Sequence, residues 1–357
     1  MRGFAAVWVV IYHVWNRFYP GFSSKGHVVS ISELPTEPLG LGAFILCGFG
    51  CTWVTLFFVL SGFCIHLPQA KTGSSTLDIS RFARRRFWRL YPAYLASIIF
   101  SVIALLIPKL LLAFSGRQFD WLEVSQATDA AVNAAFLQQI WPDALKLNGV
   151  YWTLLYEVQF YLAYPLLLWS VRKCGLLPTG VVLLASEVVL AFTGSPVACF
   201  FPDKYFEWYL GVIAAEMIVR GKHRNFAYWV ALAAIGLVAG CLSVFVVELA
   251  PLRNLLFAIG YFGLLLLASK PTSMPHLAFS MRWPVAIGVF SYSLYLTHVP
   301  VIDLIWVGFD RATMSTGLDL HRLAVIAIPA SLAFAFACYR LFERPFLEPK
   351  SINAKPQ

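Results

Sequence analysis

At 357 residues, with 59% apolar and only 13% charged side chains, the chain falls well short of the charge content of a soluble domain (roughly 25%). Its formal charge of +9 would suit a nucleic-acid partner, but the basic residues sit in short loops between apolar blocks. That is the pattern of topology signals and headgroup contacts, so composition excludes a water-soluble globular protein and argues against nucleic-acid binding.

A membrane-crossing helix needs ~20 mainly apolar residues. In chain order ten runs qualify: 3–19, 41–66, 91–112, 149–170, 176–193, 205–219, 226–247, 254–269, 285–307 and 323–342. The fold class predicted is therefore all-α, a polytopic integral membrane bundle of about ten helices. The first run follows Arg2 as in a secretory signal, but no small-x-small cleavage site follows it, so an uncleaved helix is expected. The sixth is short and carries Glu207 and Glu216, which predicts a tilted helix or one buried among its neighbours. No internal repeat is evident and no loop is long enough for a separate domain. One transmembrane domain is expected over 1–343, followed by a short, proline-containing, disordered cytoplasmic tail over 344–357.

With the N-terminus in the cytoplasm, 18 of the 27 basic residues fall on the inner side and 9 on the outer side. The positive-inside rule then places both termini in the cytoplasm, in a cell (inner) membrane, and the 115–148 segment outside. Omitting the weak sixth span would set the basic loops on its two sides in conflict. Trp and Tyr gather at span ends, among them Trp15, Tyr19, Trp88, Tyr91, Tyr151 and Trp152, where amphipathic rings favour the headgroup level. The seven cysteines form no CxxC pair, and Cys47 and Cys51 on one helix face are adequately explained as small contact residues. Neither a disulfide framework nor a metal site is expected.

Ionisable groups inside spans need a partner or a task. His13 lies roughly 9 Å below the outer end of the first span at ~1.5 Å per residue. Imidazole titrates near neutrality and suits a general base, though a neutral histidine bonded between helices fits equally. Glu157, about 12 Å deep in the inward-running fourth span, sits at a matching depth. A carboxylate there orients and charges an imidazole, or serves an interhelical bond. The run Arg81, Arg84, Arg85, Arg86, Arg89 at the inner entrance to the third span reads as a topology determinant, as a phosphate clamp, or as both. His66, Glu187, Glu216, Asp303 and His321 are assigned no task beyond structure.

At these residues the chain resembles the membrane-bound acyltransferase family 3, which includes O-antigen, exopolysaccharide and macrolide acyltransferases. Arg2-Gly3-Phe4-Ala5-Ala6 with His13 matches the family's Arg-x10-His signature. Phe57-Phe58-Val59-Leu60-Ser61-Gly62-Phe63 matches its second-helix motif, and Arg85-Arg86-Phe87-Trp88-Arg89-Leu90-Tyr91-Pro92 the basic motif before the third helix. Trp152-Thr153-Leu154-Leu155-Tyr156-Glu157 matches its Trp-Ser/Thr-Leu-x-x-Glu motif. Ser291-Tyr292-Ser293-Leu294-Tyr295-Leu296-Thr297-His298 and Glu343-Arg344-Pro345 match its late motifs, with His298 read as structural. Six motifs in order span nearly the whole chain. Family members commonly carry Leu-Asp-Gly-Leu ahead of the arginine, whereas here Met1 abuts it, and the minimal membrane form, without an added esterase-like domain, is expected.

The resemblance implies an acyl-CoA donor (acetyl-CoA by default) entering from the cytoplasm, with no permanently bound cofactor. It implies an acceptor hydroxyl on the outer side, on a sugar, glycolipid or small molecule. Arg2, Arg86 and Arg89 would then hold CoA phosphates, and Ser61-Gly62 would let the acyl-pantetheine thread pass. Trp152 and Tyr156 would meet the acceptor, and His13 would act as general base with Glu157 supporting it. Oligomeric state is not legible. The competing reading is a proton-coupled exporter or flippase of a lipid-linked sugar that uses the same buried His and Glu as a relay. Against it, the chain shows none of the paired Gly/Pro-broken helices of inverted-repeat transporters.

Overall fold

The computed structural model describes residues 1–17, 41, 44, 49–73, 77–115, 127–138, 140–193, 204–223, 225–307 and 316–347. Among them every regular element is helical. In chain order these are α1 (Arg2–Asn16), α2 (Trp53–Thr72), α3 (Ile79–Ser115), α4 (Ala127–Ala134), α5 (Trp152–Cys174), α6 (Leu176–Thr193) and α7 (Tyr205–Val219). There follow α8 (Phe226–Leu242), α9 (Arg253–Ala268), α10 (Met274–Phe279), α11 (Arg282–Val289), α12 (Ser291–Val307), α13 (Thr316–Cys338) and α14 (Arg344–Leu347).

Each of the ten expected spans overlaps a helix, the sixth and fifth over the same bounds as α7 and α6. Six of the described helices are long and apolar enough to cross a membrane, or seven if the broken pair α11–α12 counts as one span. The chain is thus a multi-pass membrane protein. The expected ninth span, drawn as continuous, is interrupted at Phe290, whose carbonyl accepts from Leu294 and opens α12. The second ends later than expected. It was expected to close at residue 66, yet α2 runs through Pro68 to Thr72, whose hydroxyl donates to the Pro68 carbonyl at 3.0 Å. Gly73, at φ 59°, ends it in the left-handed conformation that glycine adopts without strain. The expected disordered tail begins instead with the helical turn α14, and residues 348–357 lie outside those described, as do Tyr19, Cys47, Cys199 and most of the 115–126 segment.

The chain forms two compact units. One comprises Met1–Leu77, Thr153–Val289 and Thr313–Ala324, the other Asp78–Trp152, Phe290–Ala312 and Val325–Gln357. In the first, the tightest seam joins α2 and α7. A Cβ on Gly62 would lie 1.9 Å from the Trp208 carbonyl oxygen, and one on Gly211 would lie 2.0 Å from that of Val59, so only glycine admits this approach. Trp208, Tyr209, Tyr164, Phe160 and Leu56 are fully buried around the seam. The opposite character appears on α6, where Leu177, Val182 and Phe192 are 62–78% exposed. Apolar surface of that kind along a helix has lipid as its solvent.

In the second unit, hydrogen bonds tie α12 to its neighbours: Tyr292 donates to the Leu90 carbonyl at 2.9 Å, and Asn148 Nδ2 to that of Leu296 at 2.9 Å. Tyr151 shares its hydroxyl with Ser97 and Ser101 of α3, each at 3.0 Å. A π-helical turn, Tyr339–Glu343, delivers the buried Glu343 carboxylate to Ser293 Oγ at 2.6 Å. Three motifs widely separated in sequence, at Leu90, Ser291–His298 and Glu343, are thereby joined. His298 donates from Nδ1 to the Leu294 carbonyl at 3.0 Å, a bond within its own helix.

Candidate active site

His13 lies in the last turn of α1, half-buried, with the Tyr12 ring edge-on at 5.2 Å. Glu157 lies in the second turn of α5, also half-buried, and both belong to the same compact unit. The carboxylate has a resident donor that the sequence reading missed: Tyr161, one turn further on, hydrogen-bonds to Glu157 Oε1. Among the described contacts no hydrogen bond joins Glu157 to His13. The i,i+4 spacing of Glu157 and Tyr161 on a helix was the signal that would have found the pair.

Beneath Glu157, α5 presents an aromatic ladder. Tyr156 lies 5.9 Å and Phe160 5.4 Å from Phe58 of α2, and Phe160 stacks on Trp208 of α7 at 5.1 Å and 15°. The second-helix and fourth-helix motifs are thus neighbours in space. Ser61 is buried on α2. Gly62, expected to leave room for a substrate thread, has its open side filled by the α7 backbone and serves helix contact instead.

Deeper along the same helices, His66 sets Nδ1 3.0 Å from the Tyr164 hydroxyl and Nε2 2.9 Å from Glu216 Oε1, and the other Glu216 oxygen meets Arg220 at 2.7 Å. A His, a Tyr, a Glu and an Arg from α2, α5 and α7 so satisfy one another, which accounts for two ionisable residues inside spans. Glu187 is explained likewise, accepting from the Phe206 backbone N–H in the first turn of α7, where a negative charge is favoured.

In the second unit the basic run divides by exposure. Arg86 and Arg89, three residues apart on one face of α3, are half-buried, whereas Arg81, Arg84 and Arg85 are exposed. Arg86 lies over the Phe82 ring at 5.3 Å. Arg2 is half-buried in the first unit, and Trp152 is half-buried at the start of α5.

The sequence matches the acyltransferase domain family over residues 1–340, and the chain belongs to that family. It is an acyltransferase. It is 27% identical to Nodulation protein 10 of Rhizobium leguminosarum bv. viciae over 86% of this chain and 84% of that protein. It is 24% identical to the O-acetyltransferase OatA of Staphylococcus aureus (strain NCTC 8325 / PS 47), over 94% of this chain. The match spans only 55% of the staphylococcal protein's length. No solved structure matches the chain.

Proposed function

We propose that this acyltransferase moves an acyl group, acetyl by default, from cytoplasmic acyl-CoA to a hydroxyl of a sugar or glycoconjugate presented on the outer side of the inner membrane. The donor binds without any permanent cofactor. The reading rests on family membership across 340 residues together with one structural observation: a half-buried imidazole and a half-buried carboxylate on apolar helices of one compact unit. The similarity to a protein named as an O-acetyltransferase favours oxygen as the acceptor atom.

In this account His13 removes the acceptor proton as the hydroxyl oxygen attacks the thioester carbonyl, and the CoA thiolate leaves and takes up that proton. Glu157 stabilises the transient imidazolium, with Tyr161 holding the carboxylate in place between turnovers. Arg2, Arg86 and Arg89 bind CoA phosphates at the inner face, Ser61 lies along the acyl arm, and Trp152 and Tyr156 meet the acceptor. Ten spans form one domain over 1–343 with both termini in the cytoplasm.

The test is free-CoA release by purified protein supplied with acyl-CoA and a membrane extract of its own cells. Wild type should release CoA, and His13→Ala should lower the rate by ~10²–10⁴, the usual contribution of a general base. An exporter would consume no acyl-CoA and would lose sugar translocation in the same variant. Undiminished CoA release by folded His13→Ala would remove this histidine from the chemistry.

A further inference from the structure

Arg2 and His13 stand at opposite ends of α1, ~16 Å apart along its axis, and each end is seated on a different neighbour through a glycine. At the Arg2 end the neighbour is α11. A Cβ on Gly3 would stand 2.5 Å from the Gly288 backbone nitrogen and closer still to the Pro284 carbonyl oxygen, neither of which can turn away. The next residue, Phe4, is lodged among rings from three helices: Trp53 of α2 at 5.4 Å, Phe279 of α10 at 5.5 Å and Trp283 of α11 at 5.7 Å. At the His13 end the neighbour is the short helical turn Gly50–Thr52 that leads into α2. A Cβ on Gly50 would stand 2.7 Å from Tyr12 Cγ and 3.0 Å from the Trp8 carbonyl oxygen. Both glycines and Tyr12 are buried, and all of these residues belong to the first compact unit.

Helices in lipid gain little from apolar burial against one another and are held by close packing, so a single point of contact leaves a helix free to pivot. Two points at opposite ends fix both the height and the rotation of α1. The Tyr12 ring also lies edge-on to the imidazole at 5.2 Å, so a displacement of Tyr12 passes directly to His13. The rings around Phe4 hold the other end, and a push at Gly50 is therefore taken up at His13 rather than at Arg2. A push at Gly3 bears on the backbone beside Arg2.

We propose that Gly3 and Gly50 are positioning residues for acyl transfer, Gly50 setting the His13 imidazole through Tyr12 and Gly3 setting the Arg2 guanidinium through α11. The inference rests on His13 being the general base and Arg2 a contact of CoA.

The test is the division of effects between kcat and KM for acyl-CoA. Gly50→Ala should lower kcat by about 10²-fold, the cost of roughly 1 Å of misplacement, and leave KM near wild type. Gly3→Ala should raise KM by about tenfold, the order of one weakened hydrogen bond to a charged group, and change kcat less. Gly288→Ala is the control on the same seam. Among the described residues its Cβ would meet nothing nearer than the Gly3 nitrogen, at an ordinary 3.5 Å, so it should keep both constants. If Gly50→Ala does not fold, Tyr12→Leu, which removes the ring lying against Gly50, should show the same loss of kcat at unchanged KM. Packing without positioning predicts another pattern, in which both alanine variants lose melting temperature and activity together with no division between the constants. That pattern, or wild-type kcat in folded Gly50→Ala or Tyr12→Leu, would overturn the inference alone. Undiminished CoA release by folded His13→Ala would remove the general base and this inference with it.

Discussion

Glu157 and Tyr161 stand one helical turn apart, and their hydrogen bond gives the carboxylate a fixed orientation before any substrate arrives. An amide in place of the carboxylate can still accept from Tyr161, but it cannot stabilise a positive imidazole. Glu157→Gln should therefore lower kcat, and by less than His13→Ala, with KM for acyl-CoA nearly constant. Equal losses in the two variants would mean that Glu157 is more than a supporting charge. The arginines can be ranked by the same reasoning. Arg86 and Arg89 are half-buried on one face, so replacing both with Gln should weaken acyl-CoA binding more than replacing the exposed Arg84 and Arg85. The contrast should shrink when a short pantetheine thioester replaces CoA. Equal binding by both double variants would leave the run as a topology signal. At this scale the candidate residues were legible because residue type and spacing announce them, as with His13 and Glu157. Their partners were less so. His66 and Glu216 lie 150 positions apart, and their pairing depends on which helices touch.

The seam between α2 and α7 shows how far an element's neighbours escape a linear reading. Hydropathy marks both segments as apolar runs, and the bounds of α7 agree with the sequence, but hydropathy carries no information about which helix faces which. In lipid that choice falls to small residues and polar bonds rather than to apolar burial. Gly62 and Gly211 make it here, each occupied by the backbone of the opposite helix. The glycine in the second-helix motif suggested room for substrate because an isolated sequence cannot show what fills the space. Gly62→Ala would place a methyl group 1.9 Å from the Trp208 carbonyl and should force the helices apart. Overpacking of this kind typically costs about 1–3 kcal/mol. A clear drop in melting temperature in detergent is expected, whereas Gly149→Ala, with nothing within 4 Å of its Cβ position, should melt like wild type. Similar melting of the two variants would contradict the seam. The interruption between α11 and α12 escaped the sequence for a related reason, since an apolar run reads the same whether its helix is continuous or broken.

For the whole molecule, the membrane class and the approximate places of the helices followed from composition and block length, while the division into two compact units did not. Orientation rests on the bias of 18 inner to 9 outer basic residues under the ten-span arrangement. Single cysteines introduced at Asp78 and Lys146 should report it: the first should react only with reagent reaching the cytoplasmic face, the second only with reagent from outside. The reverse labelling would invert the path proposed for donor and acceptor. That path is the centre of the account, and reconstituted vesicles test it most directly. With protein inserted in one orientation, acyl-CoA confined to the cytoplasmic face and the extracted acceptor confined to the outer face, free CoA should appear on the cytoplasmic side and acylated acceptor on the outer side. Transfer only when both substrates share one face would contradict it.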